Sequence, residues 1–249
     1  MKKFFKHTIR TAIQRAGFDI VRKCPSDFSS ESVEICEIVK PYTMTSPERV
    51  NSLINAVQYV IKNKIDGAFV ECGVWKGGSS MAMALTLNKL GSEKRDLHLY
   101  DTFSGMSAPS DVDISIKGTA AHQKFSKTQI SDDSSDWCLS SLEEVKQNLF
   151  STGYDKEKIH FIEGKVEDTI PKSIPKEIAL LRLDTDWYES TKHELIHLFP
   201  LLKPNGVLII DDYGHWEGAR KAVDEYISDN NIRILLNRID YTGRIAVKT

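Results

Sequence analysis

Two apolar runs closed by acids constrain this chain most: IALLRLD (178–184) and GVLIIDD (206–212). Runs this continuous read as strands buried on both faces, the pattern of a parallel sheet covered by helices. In open α/β sheets the ligand crevice lies beyond the carboxyl ends of the strands, so Asp184, Asp211 and Asp212 are expected to meet there. Three carboxylates that close repel one another unless a cation sits among them, and such hard oxygen ligands suit Mg2+. They are therefore the candidate metal ligands. Asp186 makes a D-x-D pair with Asp184, which is also how metal-dependent glycosyltransferases hold nucleotide-sugars. That second reading stays open at this point, beside a third in which these acids are helix caps.

The rest of the chain alternates strand and helix signals. Ser46 and Pro47 suit a helix start, with Leu53, Ile54, Val57, Val60 and Ile61 at helical spacing. AFVECGV (68–74) reads as a buried strand, LHLYDTF (97–103) as a second and KIHFIEG (158–164) as a third. Ser141 with Glu144 has capping-box spacing for a helix over SLEEVKQNLF. Helices are expected at about 190–202 and 217–228, a turn at Pro204-Asn205-Gly206, and a closing hairpin from IRILLNRID and TGRIAVKT. The sum is one α/β domain at about 46–249, a doubly wound parallel sheet with a terminal antiparallel hairpin, preceded by a helical extension at 1–45. The polar stretch 104–140 has no strong periodicity and reads as a functional loop, a candidate lid.

Composition excludes several partner classes. A formal charge of −2 over 249 residues, with Lys and Arg dispersed, gives no nucleic-acid footprint. No stretch reaches the roughly 20 apolar residues that span a bilayer. The basic N-terminus, with Phe4, Phe5, Ile9, Ala12 and Ile13 on one side of a helix, has two readings: packing on the domain or a second subunit, and peripheral contact with an anionic membrane. Four cysteines without a CxxC pair fit free thiols and a cytoplasmic protein.

The loop Glu71-Cys72-Gly73-Val74-Trp75-Lys76-Gly77-Gly78-Ser79-Ser80 joins the first strand to a helix N-terminus, where small residues let a ligand approach backbone N–H groups. Its G-x-x-x-G-G spacing is neither the dinucleotide fingerprint nor a P-loop. Glu71 suits a cationic amino group, and Asp101, ending the second strand, suits ribose hydroxyls. Glu71, Gly73, Gly77, Ser79 and Asp101 together fit an amino acid joined to a nucleoside, as in S-adenosylmethionine. Trp75, Trp187 and Tyr213 lie in loops around the same mouth, where aromatic faces suit sugar or adenine rings. His215 is a candidate proton acceptor or substrate hydrogen-bond partner, or a polar residue at a helix start.

YTMTSPERV (42–50), FVECGVWKGGSS (69–80), YDTFSGM (100–106), RLDTDWYEST (182–191) and DDYGHWEGARKAVDEY (211–226) together resemble the macrocin O-methyltransferase family over about residues 40–228. The resemblance implies a Rossmann-like class I methyltransferase fold with a seven-stranded sheet. It implies an S-adenosylmethionine- and Mg2+-dependent O-methyltransferase acting on a sugar hydroxyl of a glycan, nucleotide-sugar or glycosylated natural product. A non-catalytic, cofactor-binding partner of a glycan enzyme is the alternative. By the same motifs, Asp184, Asp211 and Asp212 are implied as metal ligands and Asp184 also as general base. Glu71, Gly73, Gly77 and Ser79, with Trp75 beside them, would hold the methionine part and Asp101 the ribose. Val166 and Glu167 would flank the adenine. Met44 would cover the reaction centre, with Tyr213 and His215 toward the acceptor. Family members often associate, so a homo-oligomer is implied as well.

Overall fold

A computed structural model describes residues 25–92 and 94–249. The amphipathic helix expected at the N-terminus, and Cys24, lie outside the described residues. The first described helix, α1 (Ser30–Val39), leads into α2 (Pro47–Lys62). Ser46 caps α2 by accepting from the Arg49 backbone N–H at 3.2 Å, and Pro47 fills the first turn, where its missing N–H costs nothing. Val50, Leu53, Ile54, Val57 and Val60 form the buried stripe, each contributing about 2 kcal/mol on burial. Ile35 and Val39 of α1 are fully buried in the same core.

The sheet holds β1 (Ala68–Cys72), β2 (Leu97–Asp101), β5 (Ile159–Glu163), β6 (Ile178–Leu183), β7 (Leu202–Ile210), β8 (Asn237–Arg238) and β9 (Arg244–Val247). Its order is β5-β2-β1-β6-β7-β9-β8, parallel from β5 to β7, with β9 antiparallel to both neighbours. The fold is thus the mostly parallel seven-stranded α/β sheet with a terminal hairpin that the sequence predicts. Every residue of β1 and β6 is buried, as two-faced coverage requires. The covering helices are α3 (Gly78–Lys89), α5 (Leu142–Phe150), the short α6 (Val166–Thr169), α7 (Tyr188–Leu198) and α8 (Glu217–Asp229). From β1 the chain builds outward through β2 and β5, then returns to place β6 on the other side of β1. The order reverses between β1 and β6, and this switch point is where a ligand crevice opens.

Several local expectations change. The polar 104–140 stretch is not irregular throughout: it holds α4 (Ala121–Thr128) and a ribbon of β3 (Gln129–Ser131) and β4 (Ser134–Ser135). Only Ala121 and Phe125 of α4 are buried, one i, i+4 pair, too little to register as periodicity. Pro204-Asn205-Gly206 is not a turn between elements but an irregularity inside β7, where Asn205 has φ 66° and donates to the Lys248 carbonyl at 2.7 Å. Of IRILLNRID only Asn237–Arg238 pairs as strand. The helix expected from about 190 begins at Tyr188 and ends at Leu198. No helix among the described residues is long and apolar enough to cross a membrane.

At β2, His98 stacks at 4.6 Å on His160 of β5, and its Nδ1 is buried without a hydrogen-bond partner. Burial, then the neighbouring His160, pushes the His98 pKa down to about 4. The folded state therefore holds His98 neutral, and its stability falls as pH drops from about 6.5, the free value, toward about 4. His98→Leu should flatten the fall of Tm over that window, as followed by circular dichroism. An unchanged slope would show that His98 does not drive it.

Candidate active site

Backbone bonds bring the strand ends into line. The Asp184 N–H donates to the Cys72 carbonyl at 2.8 Å, the Gly73 N–H to Tyr100 at 2.9 Å, and the Asp211 N–H to Leu183 at 2.9 Å. Above them opens a cavity of about 350 Å3. Gly73, Trp75 and Ser79 of the glycine loop, Met44 and Arg49, and the acids Asp184, Asp186, Asp211 and Asp212 line it. His215, Trp216 and Tyr241 line the same cavity, with the His215 ring in edge contact with both Trp216 and Tyr241. A smaller cavity of about 70 Å3 adjoins it, lined by Val166, Glu167 and Gly164 and sharing Gly73, Asp101, Gly105, Met106 and Asp184 with the first. Trp75, Cys138 and Asp186 line the larger cavity with left-handed φ values of 47°, 55° and 67°. Backbone strain of this kind, about 1–3 kcal/mol each, concentrates where function requires a side chain to be aimed.

The acids divide into two sets. Asp184, Asp186 and Asp212 place one oxygen each within 4.8 Å of one another. Oδ2 of Asp212 is buried with no hydrogen-bond partner. Burial pushes the carboxyl pKa values of Asp184 and Asp212 well above the usual range and that of Asp186 up to about 7. A cluster of converging carboxylates that leaves a buried oxygen unpartnered fits a cation. Asp211 differs from its predicted surroundings. Its Oδ1 accepts from Arg182 and its Oδ2 from Arg49, so both oxygens face guanidinium groups.

Arg182 is the residue that sequence reading missed. It sits inside an apolar strand with a side chain 2% exposed. Its Nη1 donates to Glu71 Oε1 at 2.7 Å and to Asp184 Oδ2 at 2.6 Å, and its Nη2 to Asp211 and to Thr45 Oγ1 at 3.2 Å. Glu71 also accepts from the Ser80 hydroxyl. The acid expected to meet a free amino group is therefore already paired inside the protein. Asp101 likewise accepts from the backbone N–H groups of Val74 at 2.6 Å, Trp75 at 3.0 Å and Phe103 at 2.8 Å. It pins the glycine loop to the end of β2 while lining both cavities.

Other expected residues fall outside the lining. Gly77 caps α3 at φ 87° and faces Leu149, shaping the loop from behind. Tyr213 turns away, its hydroxyl on Asp224 at 2.8 Å and its ring against Arg220 and Arg244. Trp187 is buried rather than lining the mouth. It meets Trp216 and Trp137 edge to face at 5.1 and 5.5 Å and donates to the Ser107 carbonyl at 3.1 Å. These aromatics hold the 104–140 segment down, aided by the Ile116 N–H on the His215 carbonyl at 2.8 Å. Burial, then Lys117 and Arg49, lowers the His215 pKa, keeping its imidazole neutral at neutral pH.

A profile of the macrocin-O-methyltransferase family (TylF) matches residues 11–247. Among curated proteins, the 8-demethyl-8-(2,3-dimethoxy-alpha-L-rhamnosyl)-tetracenomycin-C 4'-O-methyltransferase of Streptomyces olivaceus is 32% identical over 202 residues, 81% of this chain and 74% of that protein. The demethyldecarbamoylnovobiocin O-methyltransferase of Streptomyces niveus is 31% identical over 203 residues, again 81% and 74%. Among solved structures, the O-methyltransferase NovP superposes with a TM-score of 0.72 at 30% identity, covering 84% of this chain and 82% of that one.

Proposed function

Because the chain belongs to the macrocin-O-methyltransferase family and is an O-methyltransferase, we propose that it transfers the methyl of S-adenosylmethionine to a sugar hydroxyl in a Mg2+-dependent reaction. One observation carries this reading: the two cavities meet at Gly73 and Asp184. A two-part substrate pair fits such a site, with the nucleoside end in the smaller cavity by Val166 and Glu167 and the acceptor in the larger. The glycosyltransferase reading of Asp184-Thr185-Asp186 has no such support, because the family match covers the glycine loop it leaves unexplained.

Asp184 and Asp212 would hold the cation, with Asp186 the third carboxylate that converges on them, and Asp211, beside them in the lining, is held by Arg49 and Arg182. A divalent cation there would lower the pKa of a chelated hydroxyl. Asp184 is then the proton acceptor. Of the carboxylates that line both cavities, Asp101 is committed to backbone N–H groups while Asp184 faces the junction. His215, neutral and beside the acids, hydrogen-bonds the acceptor. The aromatic-pinned 104–140 segment excludes water from the transfer, and Met44 closes the other side. Holding donor and acceptor together supplies proximity, a large contribution that needs no covalent chemistry.

Calorimetry with S-adenosylhomocysteine and, separately, with nucleotide-sugars tests the cofactor assignment. Micromolar binding of the first is expected; heat from nucleotide-sugars alone would overturn it. Labelled S-adenosylmethionine offered with free, nucleotide-linked and lipid-linked sugars then identifies the acceptor.

A further inference from the structure

The acid cluster contains its own competitors for a cation. Arg49, on α2, donates from Nη1 to Asp211 Oδ2 and from Nε to Asp240 Oδ2 at 3.0 Å, with its side chain 12% exposed. Arg182 occupies Asp211 Oδ1 and Asp184 Oδ2 from the other side. Asp240 is held in turn by the Ser46 hydroxyl at 2.7 Å and by the N–H groups of Thr242 and Gly243. The guanidinium of Arg49 is therefore fixed over Asp211 and not left to swing into solvent. A guanidinium cannot lose its proton at any working pH, so these two charges stay in place.

We propose that Arg49 and Arg182 form a built-in counter-cation pair that holds down the affinity of the acid cluster for a divalent cation. The inference rests on the cation reading above and concerns its strength. Arg182 bonds Asp184 of the cluster, and both arginines bond the adjoining Asp211. The two fixed positive charges repel an arriving cation and tie up lone pairs of Asp184 and Asp211 that would otherwise ligate it. The same pair keeps the buried acids compensated when no cation is bound, so the site is assembled before loading. A residue that only supports the fold would have the opposite signature, because its loss would disorder the acids and weaken cation binding.

The sign of one measurement separates these roles. Free Mn2+ is followed by electron paramagnetic resonance as it is titrated into the whole protein without substrates. Arg49→Gln is the chosen variant, since it removes one charge and leaves the more deeply buried Arg182 in place. Its Kd for Mn2+ is expected to be about tenfold lower than that of the unsubstituted protein. Where Arg49→Gln is unstable without cation, the same sign is read as a larger Mn2+-induced rise in Tm. Equal or weaker binding, or an equal or smaller rise in Tm, overturns the counter-cation role and leaves the cation reading standing. An unsubstituted protein that binds no Mn2+ sinks both.

Discussion

Asp184→Asn is expected to lower turnover roughly a thousandfold while leaving S-adenosylhomocysteine affinity within a few-fold. The substitution keeps the shape and one acceptor oxygen but removes the charge. Its backbone bond to the Cys72 carbonyl remains, so the junction of β1 and β6 is preserved. Arg182 keeps Glu71 and Asp211 as partners, which leaves its own charge compensated. What disappears is the carboxylate oxygen at the point where the two cavities meet, together with its share in holding a cation. Turnover with labelled S-adenosylmethionine, a calorimetric titration and a melting curve on the same preparation read these effects separately. Methylation at the unsubstituted rate would refute the assignment of Asp184 as proton acceptor.

Gly73→Ala should be the more destructive change, abolishing cofactor binding and costing about 3 kcal/mol of stability or more. Gly73 has φ 81°, a conformation that side chains resist. A Cβ there would come within 2.0 Å of the Asp184 carbonyl oxygen and 2.6 Å of its carbon, both backbone atoms that cannot rotate away. Relief requires β1 and β6 to part at the switch point, and that opens the floor under both cavities. Urea denaturation gives the stability change, and calorimetry with S-adenosylhomocysteine gives the loss of binding. An alanine variant with normal cofactor affinity would mean that the strand ends tolerate separation, contrary to the packing described.

The sheet was readable because its signals are local. IALLRL and GVLII are too continuously apolar to be anything but two-faced strands, and their acids mark the carboxyl ends. The site was partly readable for the same reason, since Gly73, Asp184 and Asp212 follow directly from strand ends. Partnership across the fold was not readable. Nothing local to Glu71 announces Arg182, 111 residues on, or to Asp211 announces Arg49, 162 residues back. The one available sign was an arginine inside IALLRLD, a charge that a buried strand carries only when acids compensate it. Tyr213 misled because adjacency in sequence to the acid pair does not fix direction, and its ring leaves toward Arg220 and Arg244. The 104–140 segment stayed opaque because aromatic contacts from Trp187 and Trp216, not its own periodicity, hold it in place.

Tyr241 and Thr242 line the cavity, and Asp240 anchors the Arg49 that faces the acids. All three follow every acid of the cluster in the chain. A nascent polypeptide that has emerged as far as Asp212 already carries Asp184, Asp211 and Asp212 but lacks the lining from Tyr241 and Thr242 and has no second anchor for Arg49. β9, which pairs with β7, comes later still. Competence is therefore a late event in synthesis, reached when the closing hairpin docks, and the acids spend the interval before it with only the arginines for company.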